Sequence, residues 1–172
     1  MSGRSVMGKR ESDLDLAFAD KIKESPEFAL WVLGRTKFKK YGSGVCLLDQ
    51  EQARARAAKF WWKHWWCRVP ELDAETETDI FIVFEVAETK ERFALHIENK
   101  MANGSFAEKQ PESYAFRAEH MMRKARYLNY TDFETILISP LSFRNKNRMR
   151  CDLFGCYISY EDLSEFIPEF SE

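Results

Sequence analysis

The stretch "TDIFIVFEVAETKERFALHIENK", residues 78–100, decides the fold. Two runs rich in β-branched and aromatic residues flank the polar stretch 88–91, a pattern that predicts an antiparallel β-hairpin. Both faces of each run are apolar, which is typical of central strands covered by helices on both sides. The second run nevertheless ends in Glu98, Asn99 and Lys100. Because an unpaired buried charge is costly, we expect these charged groups to serve a purpose.

The hairpin register predicts which charged groups meet. With residues 88–91 as the loop, Asp79 lies opposite Lys100, and Glu98 lies diagonally on the same face. Glu98 and Lys100 share a face because they are two residues apart in a strand, whereas the Asn99 side chain points to the other face. We therefore expect Asn99→Ala to be much milder than replacement of either neighbour.

These converging groups suit phosphodiester hydrolysis. Asp79, Glu98 and a backbone carbonyl are the hard oxygen ligands that Mg²⁺ prefers. A neighbouring lysine can deprotonate or orient an attacking water and offset charge on the phosphoryl group. The alternative interpretation is a solvent-exposed ion pair at a strand end. It would be preferred if the Glu-x-Lys pattern occurred without the other charged groups.

Three helices are predicted before the hairpin. The first begins near Ser12, the second runs from Ser25 to Gly34, and the third runs from Asp49 toward Trp66. Four tryptophans of the third helix share an arc about 140° wide: Trp61, Trp62, Trp65 and Trp66. We expect this face to pack in the core rather than to stack on nucleobases, although one tryptophan at its rim could do both.

After the hairpin, the pattern predicts a helix, two strands and a terminal helix. The predicted order is a helix over 110–126, a strand over 133–139, a basic loop over 144–150, a strand over 153–158 and a capped helix from Ser159. This order indicates one α/β layered domain. We expect residues 1–172 to form that single domain, with 1–12 flexible, 13–66 forming N-terminal helices and 67–160 the catalytic core.

Composition narrows the class of protein. With 45% apolar and 31% charged residues, the chain is suited to a folded domain rather than to disorder. It has no apolar run of about 20 residues and no apolar signal-peptide core, so we expect a cytoplasmic protein that does not enter a membrane. The cysteines lack the paired spacing of a zinc site, so we expect free thiols.

Two segments are basic although the net charge is −2. Residues 51–68 carry five Lys or Arg against Glu51, and residues 116–150 carry eight against three acids. Each segment is either a solvated helix face or loop, or a phosphate-binding surface that exists only after folding. Sequence alone favours the solvated interpretation.

Three strings together resemble the PD-(D/E)XK nuclease superfamily, in its QxxxY branch: "ETD" at 77–79, "HIENK" at 96–100 and "QPESY" at 110–114. Each string is weak alone, but their order around a hairpin and a helix is restrictive. The resemblance covers about residues 70–160. It implies a restriction-endonuclease-like fold, an α/β three-layer core with a central mixed β-sheet flanked by helices. Thr78 stands where the family usually has proline before its first acid.

The resemblance implies a metal site and its catalytic groups. Asp79, Glu98 and the backbone carbonyl of Asn99 would bind Mg²⁺, for which Mn²⁺ would substitute. Lys100 would be the catalytic lysine, and Gln110 would hold the metal shell or Lys100.

Further residues join this expected site. The family often adds an acid from an early helix, for which Glu11 is the candidate and Glu51 stays open. Tyr114 would contact substrate or orient the site. Independently of the family, Gln110, Tyr114 and Arg117 share one helix face, so Arg117 is a candidate phosphate contact. His96 shares the strand face of Glu98, but we expect it to be a packed histidine.

The sequence thus supports two functional hypotheses. The first is a Mg²⁺-dependent nuclease that cleaves DNA, in preference to RNA, by attack of a metal-activated water. The second is a catalytically silent nucleic-acid- or protein-binding module of the same fold within a defence or restriction assembly. Cleavage of both strands by so small a domain requires two active sites, so a homodimer is a possible partner arrangement.

Overall fold

The computed structural model describes residues 8–171 of the 172-residue chain. The helices are α1 (Glu11–Glu24), α2 (Pro26–Gly34), α3 (Asp49–Ala55), α4 (Gln110–Met121), α5 (Leu141–Lys146), α6 (Arg148–Cys151) and α7 (Tyr160–Leu163). The strands are β1 (Val45–Leu47), β2 (Trp65–Val69), β3 (Ala74–Thr78), β4 (Ile80–Val86), β5 (Arg92–Asn99), β6 (Asp132–Ser139) and β7 (Cys156–Ser159). Short 3-10 turns occur at Lys37–Tyr41, Pro70–Leu72, Ala125–Tyr127 and Pro168–Phe170.

Five strands form a mixed central sheet in the order β1-β4-β5-β6-β7. The hairpin strands β4 and β5 are antiparallel, as are β1 and β4, whereas β5, β6 and β7 run parallel. A separate antiparallel ribbon consists of β2 and β3. The expected α/β class, with a mixed central sheet flanked by helices, is therefore confirmed.

Apolar side chains cover both faces of the central sheet. On one face, Phe18 of α1 and Phe28 of α2 pack in a single cluster with Ile82 and Leu95 of the hairpin. On the other face, α4 and its flanking segments cover the sheet through two smaller clusters. Burial on both faces explains why the strands read as continuous apolar runs.

The predicted hairpin is present, but its register differs from the expectation. Val86 donates its N–H to the Glu91 carbonyl at 2.8 Å, so the loop is 87–90 rather than 88–91. Ile80 pairs with Ile97, and continuing this register places Asp79 opposite Glu98 rather than opposite Lys100. Because the correction moves the pairing by two residues, it leaves every side chain on its expected face.

The predicted tryptophan helix is wrong. Helix α3 ends at Ala55, residues 56–64 form a loop, and β2 begins at Trp65. Trp62 and Trp65 are buried in different clusters on opposite faces of the central sheet. A single helix face cannot reach both, which explains why the helix ends at Ala55, before either tryptophan.

Other segments match the expectations in part. The 133–139 strand is confirmed within β6, and the 153–158 strand is shorter, as β7. The helix over 110–126 ends earlier, at Met121, and the predicted basic loop over 144–150 is wrong because it forms α5 and α6.

The first and last helices begin close to their predicted positions. Helix α1 starts at Glu11, within the segment 1–12 that was expected to be flexible, and residues 1–7 lie outside the described part of the chain. The capped terminal helix is confirmed as α7, whose Ser159 side chain accepts from the Asp162 N–H at 3.0 Å. None of the helices within 8–171 combines the length and apolarity that a bilayer crossing requires.

Candidate active site

Glu98, near the end of β5, lies at the centre of the candidate site. The side chain is 1% exposed, and its Oε1 accepts from Lys100 Nζ at 2.7 Å and from Gln110 Nε2 at 2.7 Å. Its Oε2 is buried and has no hydrogen-bond partner within residues 8–171. A buried carboxylate oxygen without a partner is costly, so this atom is suited to receive a cation or a donor from a ligand.

Asp79 lies at the break between β3 and β4, on the same sheet face as Glu98. Its Oδ2 accepts from the backbone N–H of Asn99 at 3.2 Å, which ties it to the end of β5. Burial, followed by the negative fields of Glu98 and Asp15, raises the pKa of the Asp79 carboxyl well above its usual value. The two neighbouring carboxylates therefore favour a proton or a cation between them.

Lys100 remains a cation at this position. Burial lowers the pKa of its ammonium group, but the ion pair with Glu98 and the fields of Glu11 and Asp79 outweigh burial and raise the pKa overall. The ammonium group is also 5.7 Å from the centre of the Phe106 ring. Lys100 is thus a fixed positive charge rather than a ready proton acceptor.

Helix α4 supplies the residues that hold the two carboxylates in place. The Tyr114 hydroxyl accepts from the Asp79 N–H at 3.2 Å and donates to the Ile97 carbonyl at 3.4 Å. Burial, with a further contribution from Asp79, raises the pKa of this phenol well above its ordinary value. The Tyr114 hydroxyl is bonded to two backbone groups, and Tyr114 is absent from the lining of the cleft described below, so it is placed to orient the site rather than to contact a substrate.

Arg117 is completely buried one helical turn further along α4. Its Nε donates to Thr78 Oγ1 at 2.7 Å, and its Nη1 donates to Ser113 Oγ at 3.3 Å. Its Nη2 has no hydrogen-bond partner in the described part of the chain. Arg117 is among the residues that line the cleft described next, and its buried Nη2 is suited to an anion that reaches it from there.

An open cleft of about 560 Å³ gives access to Asp79. Its walls are β3, the start of α4 and the segment before α4, and they include Asp79, Gln110 and Arg117. The segment is held from α6, because Arg150 donates to the carbonyls of Phe106 at 3.2 Å and Ala107 at 2.7 Å. One arginine of the predicted basic loop therefore shapes the cleft.

The structure distinguishes the two early acids. Both oxygens of Glu51 accept from Arg92, at 2.8 and 3.1 Å, at the opposite end of β5 from Glu98. Glu11 lies in the fields of Lys100 and Glu98, and burial, its largest influence, raises the pKa of its carboxyl. Glu11 is therefore the acid that the fold brings to the site.

Asp15 is a site residue that the sequence analysis missed. Its Oδ1 accepts from Asn99 Nδ2 at 2.7 Å, and Asn99 Oδ1 accepts from the Tyr160 hydroxyl at 2.5 Å. Burial raises the pKa of Asp15 to about 7, against the lowering effect of the Asn99 hydrogen bond. The available signal was an acid one helical turn after Glu11, beside the apolar positions Leu14 and Phe18.

This contact changes the role of Asn99. Its side chain does point to the face opposite Glu98, as expected, but it is 1% exposed and hydrogen-bonded on both its oxygen and its nitrogen. Asn99→Ala would leave Asp15 and Tyr160 without these buried partners, so we expect it to lower stability, a cost that the sequence did not indicate. That it is milder than replacement of Glu98 or Lys100 stays a prediction.

His96 is packed, as expected. Its ring nitrogens lie 2.9 Å from Thr78 Oγ1 and 3.1 Å from the Tyr130 hydroxyl. Complete burial, together with the charge of Arg117, lowers the pKa of the imidazole well below its usual value. His96 is therefore a neutral structural residue beneath the site.

The donor set fits Mg²⁺ only partly. Within residues 8–171, no three His, Cys, Asp or Glu side chains form a ready-made metal group. Asp79 and Glu98 nevertheless offer carboxylate oxygens on one face, and Glu98 Oε2 is free of protein partners among the described residues. This is the hard-oxygen chemistry of Mg²⁺, which usually takes one or two carboxylates and completes its shell with water and phosphate.

Comparisons with protein-family models, curated proteins and solved structures find no match to this chain. The functional interpretation therefore depends on the residues and on the geometry of this site.

Proposed function

We propose that this protein is a Mg²⁺-dependent nuclease with a restriction-endonuclease-like three-layer core, which hydrolyses phosphodiester bonds in DNA. One observation supports the proposal: Asp79 and Gln110 line one open cleft, and Gln110 is hydrogen-bonded to Glu98, which is in turn paired with Lys100. These four residues are spread over 32 positions of the sequence. DNA is the substrate that the motif resemblance implies. A cytoplasmic location and a homodimeric state belong to the same proposal.

Asp79, Glu98 and the Asn99 carbonyl would hold the metal. When bound, Mg²⁺ would lower the pKa of a water molecule and neutralise charge on the scissile phosphate. Lys100 would contribute a second positive charge beside the reacting phosphate. Since its ammonium group is kept protonated by Glu98, it would orient the water or a phosphate oxygen and would not accept the proton of the water.

Gln110 and Tyr114 would act as positioning residues. Gln110 accepts from the Ala107 N–H at 3.0 Å and donates to Glu98, so the cleft wall and the carboxylate are linked through one amide. Tyr114 joins the backbone at Asp79 to the backbone at Ile97. Arg117 would offer its free Nη2 to a substrate phosphate in the cleft.

The test is a cleavage assay with purified protein and Mg²⁺ or Mn²⁺ on plasmid DNA, single-stranded DNA and RNA. We expect Glu98→Gln and Lys100→Ala each to reduce metal-dependent cleavage by roughly 100-fold or more, as for other removed catalytic groups. Glu88→Gln and Lys90→Ala, at exposed positions of the same hairpin, are matched controls that should retain activity. Cleavage that survives in both site variants would contradict the proposal and indicate a contaminating nuclease.

A second function is a silent nucleic-acid- or protein-binding module of this fold. The observation that favours it is that Glu98 Oε1 is already engaged by Lys100 and Gln110, with no ready-made metal group among residues 8–171. Salt-sensitive DNA binding with no cleavage in any metal would favour this module over the nuclease. No binding at low salt would contradict both functions.

A further inference from the structure

A second cavity lies across strand β3 from the active-site cleft. It has a volume of about 380 Å³, and its lining includes Cys67 together with Trp66, Arg68, Glu75, Lys124, Arg126 and Tyr127. We call it the Trp66 pocket. Ala74 and Thr76 line the cleft, and Glu75 between them lines the Trp66 pocket, so a single strand separates the two cavities. Its volume is within the usual range for small-ligand sites.

The aromatic wall of the pocket is an exposed tryptophan on a fixed backbone. Trp66 is 52% exposed, whereas Trp62 and Trp65 are at most 2% exposed. Its carbonyl accepts from the Tyr127 hydroxyl at 2.7 Å, and Trp66 pairs with Glu77 across the β2–β3 ribbon. Since large apolar side chains are usually buried, a fixed and exposed indole beside a cavity is suited to stack on a flat ligand.

The remaining walls are mainly cationic. Lys124 and Arg126 are exposed, and neither forms an ion pair with a carboxylate of residues 8–171. Arg68 is paired with Asp73, and Glu75 is the acid among the lining residues. The pocket therefore offers two unneutralised cations next to an aromatic face, which is the combination that suits a base joined to a phosphate.

We propose that the Trp66 pocket binds one nucleotide of a single-stranded nucleic acid, with the base on the Trp66 ring and the phosphate at Lys124 and Arg126. The choice of a nucleic-acid strand over a free nucleotide rests on the proposed nuclease function. The pocket contains no residue of the candidate active site, so binding there does not require cleavage.

The test is binding of a fluorescent 12-nucleotide single strand to the full-length chain in EDTA, followed by fluorescence anisotropy. We expect Trp66→Ala to weaken binding by roughly 10-fold and Trp66→Phe to restore most of it, because stacking on one aromatic ring has about that effect. The double substitution of Lys124 and Arg126 by Ala should also weaken binding. Loss of this one phosphate contact should reduce the slope of log affinity against log salt by about 0.7.

Matched controls separate this pocket from general charge effects. Lys39 and Lys40 are exposed on the Lys37–Tyr41 turn, so their double alanine variant has the same charge change and should keep both affinity and salt slope. Circular dichroism and the thermal midpoint would show whether each variant is folded. Unchanged affinity in the folded Trp66→Ala variant, or equal losses in the two double variants, would overturn the proposal.

Additional ligands identify what the pocket recognises. Weaker binding of adenosine monophosphate than of the 12-mer, and no competition by inorganic phosphate at the same concentration, would support a strand segment. Equal affinity for the mononucleotide and the 12-mer would overturn the nucleic-acid assignment. If binding depends on Trp66 but no metal-dependent cleavage occurs, the pocket proposal is supported and the nuclease proposal is contradicted. If cleavage occurs but binding does not depend on Trp66, the nuclease proposal is supported and the pocket proposal is contradicted.

Discussion

At the scale of single residues, the buried carboxylic acid of Asp15 connects the first helix to the candidate site. It hydrogen-bonds to Asn99, the residue between Glu98 and Lys100, and Asn99 in turn is hydrogen-bonded to Tyr160. The chain of contacts joins α1, β5 and α7. It fixes the end of β5 from the face opposite to the carboxylates, at the expense of burying an ionisable group.

The pH dependence of stability follows from this burial. The pKa of Asp15 rises from 3.8 to about 7 on folding. Between these values the unfolded carboxyl is ionised while the folded one keeps its proton. Stability therefore falls as the pH rises through this window, by at most about 1.4 kcal/mol per pH unit. The stabilisation is fully present below the lower value and is lost above the upper one.

We predict that Asp15→Asn removes this pH dependence, because asparagine keeps an oxygen for the Asn99 amide but does not ionise. The stability of the variant relative to wild type should increase by about 2–3 kcal/mol between pH 5 and pH 8. Urea unfolding at both pH values measures this difference. Glu24→Gln, at an exposed position of the same helix, is the control. A wild-type-to-variant difference that does not change with pH would contradict the prediction.

At the scale of elements, the side chain of Gln52 takes the place of a neighbouring strand along part of the β4 edge. Strand β1 pairs with β4 only as far as Phe84. Beyond it, Gln52 Oε1 accepts from the Val83 N–H at 2.8 Å, and its Nε2 donates to the Phe81 carbonyl at 2.9 Å. The side chain is 0% exposed. One amide thus satisfies two backbone groups that a neighbouring strand would otherwise satisfy.

We predict that Gln52→Ala lowers the free energy of unfolding by about 2–4 kcal/mol, since it leaves two buried backbone groups without partners. Gln50→Ala in the same helix changes the same atoms at an exposed position and should have an effect within about 0.5 kcal/mol. Chemical denaturation of both variants gives the comparison. Equal small effects of the two substitutions would contradict the prediction. They would show that water or a shifted β1 supplies the hydrogen bonds to the Val83 N–H and the Phe81 carbonyl.

The sequence pattern correctly predicted the elements that are specified by residues close together in the chain. The 78–100 hairpin follows from two-residue periodicity around a polar loop, although two adjacent loop choices differ too little for sequence to fix the register. The segment that carries the four tryptophans was wrongly predicted to be helical, because these residues would share one arc of a helix. Only the folded chain shows that Trp62 and Trp65 are needed on opposite faces of the sheet.

The candidate site shows the same difference between features set by local sequence and features set by tertiary packing. The groups within "HIENK" and "QPESY" were predicted from the family resemblance, whose motifs are short and local, and the structure joins them through Glu98 and Gln110. Asp15 lies 84 positions from Asn99, and nothing in its surroundings marks it as a partner of that residue. Long-range polar contacts of this kind depend on how the layers pack.

At the scale of the whole molecule, the candidate site lies where the layers meet at one end of the central sheet. Asp79 and Glu98 project toward the α4 face, while Asp15 of α1 contacts Asn99 from the other face. The negative fields of Glu98 and Asp15 both act on Asp79. This concentration of acids opposes folding in the absence of a cation, so stability and metal binding should be coupled.

We predict that Mg²⁺ at ten times its Kd stabilises the wild-type protein by about 1.4 kcal/mol, or roughly 3–5 °C in Tm, with ionic strength held constant by KCl. Asp79→Asn should raise the Tm without metal, because it removes one half-buried negative charge beside Glu98 while keeping an acceptor for the Asn99 N–H. The same substitution should abolish the Mg²⁺ effect. Asp73→Asn, at an exposed turn with φ 47°, is the matched control and should keep the Mg²⁺ effect. Differential scanning calorimetry measures all three proteins, and an Asp79→Asn variant that gains as much from Mg²⁺ as wild type would place the metal elsewhere.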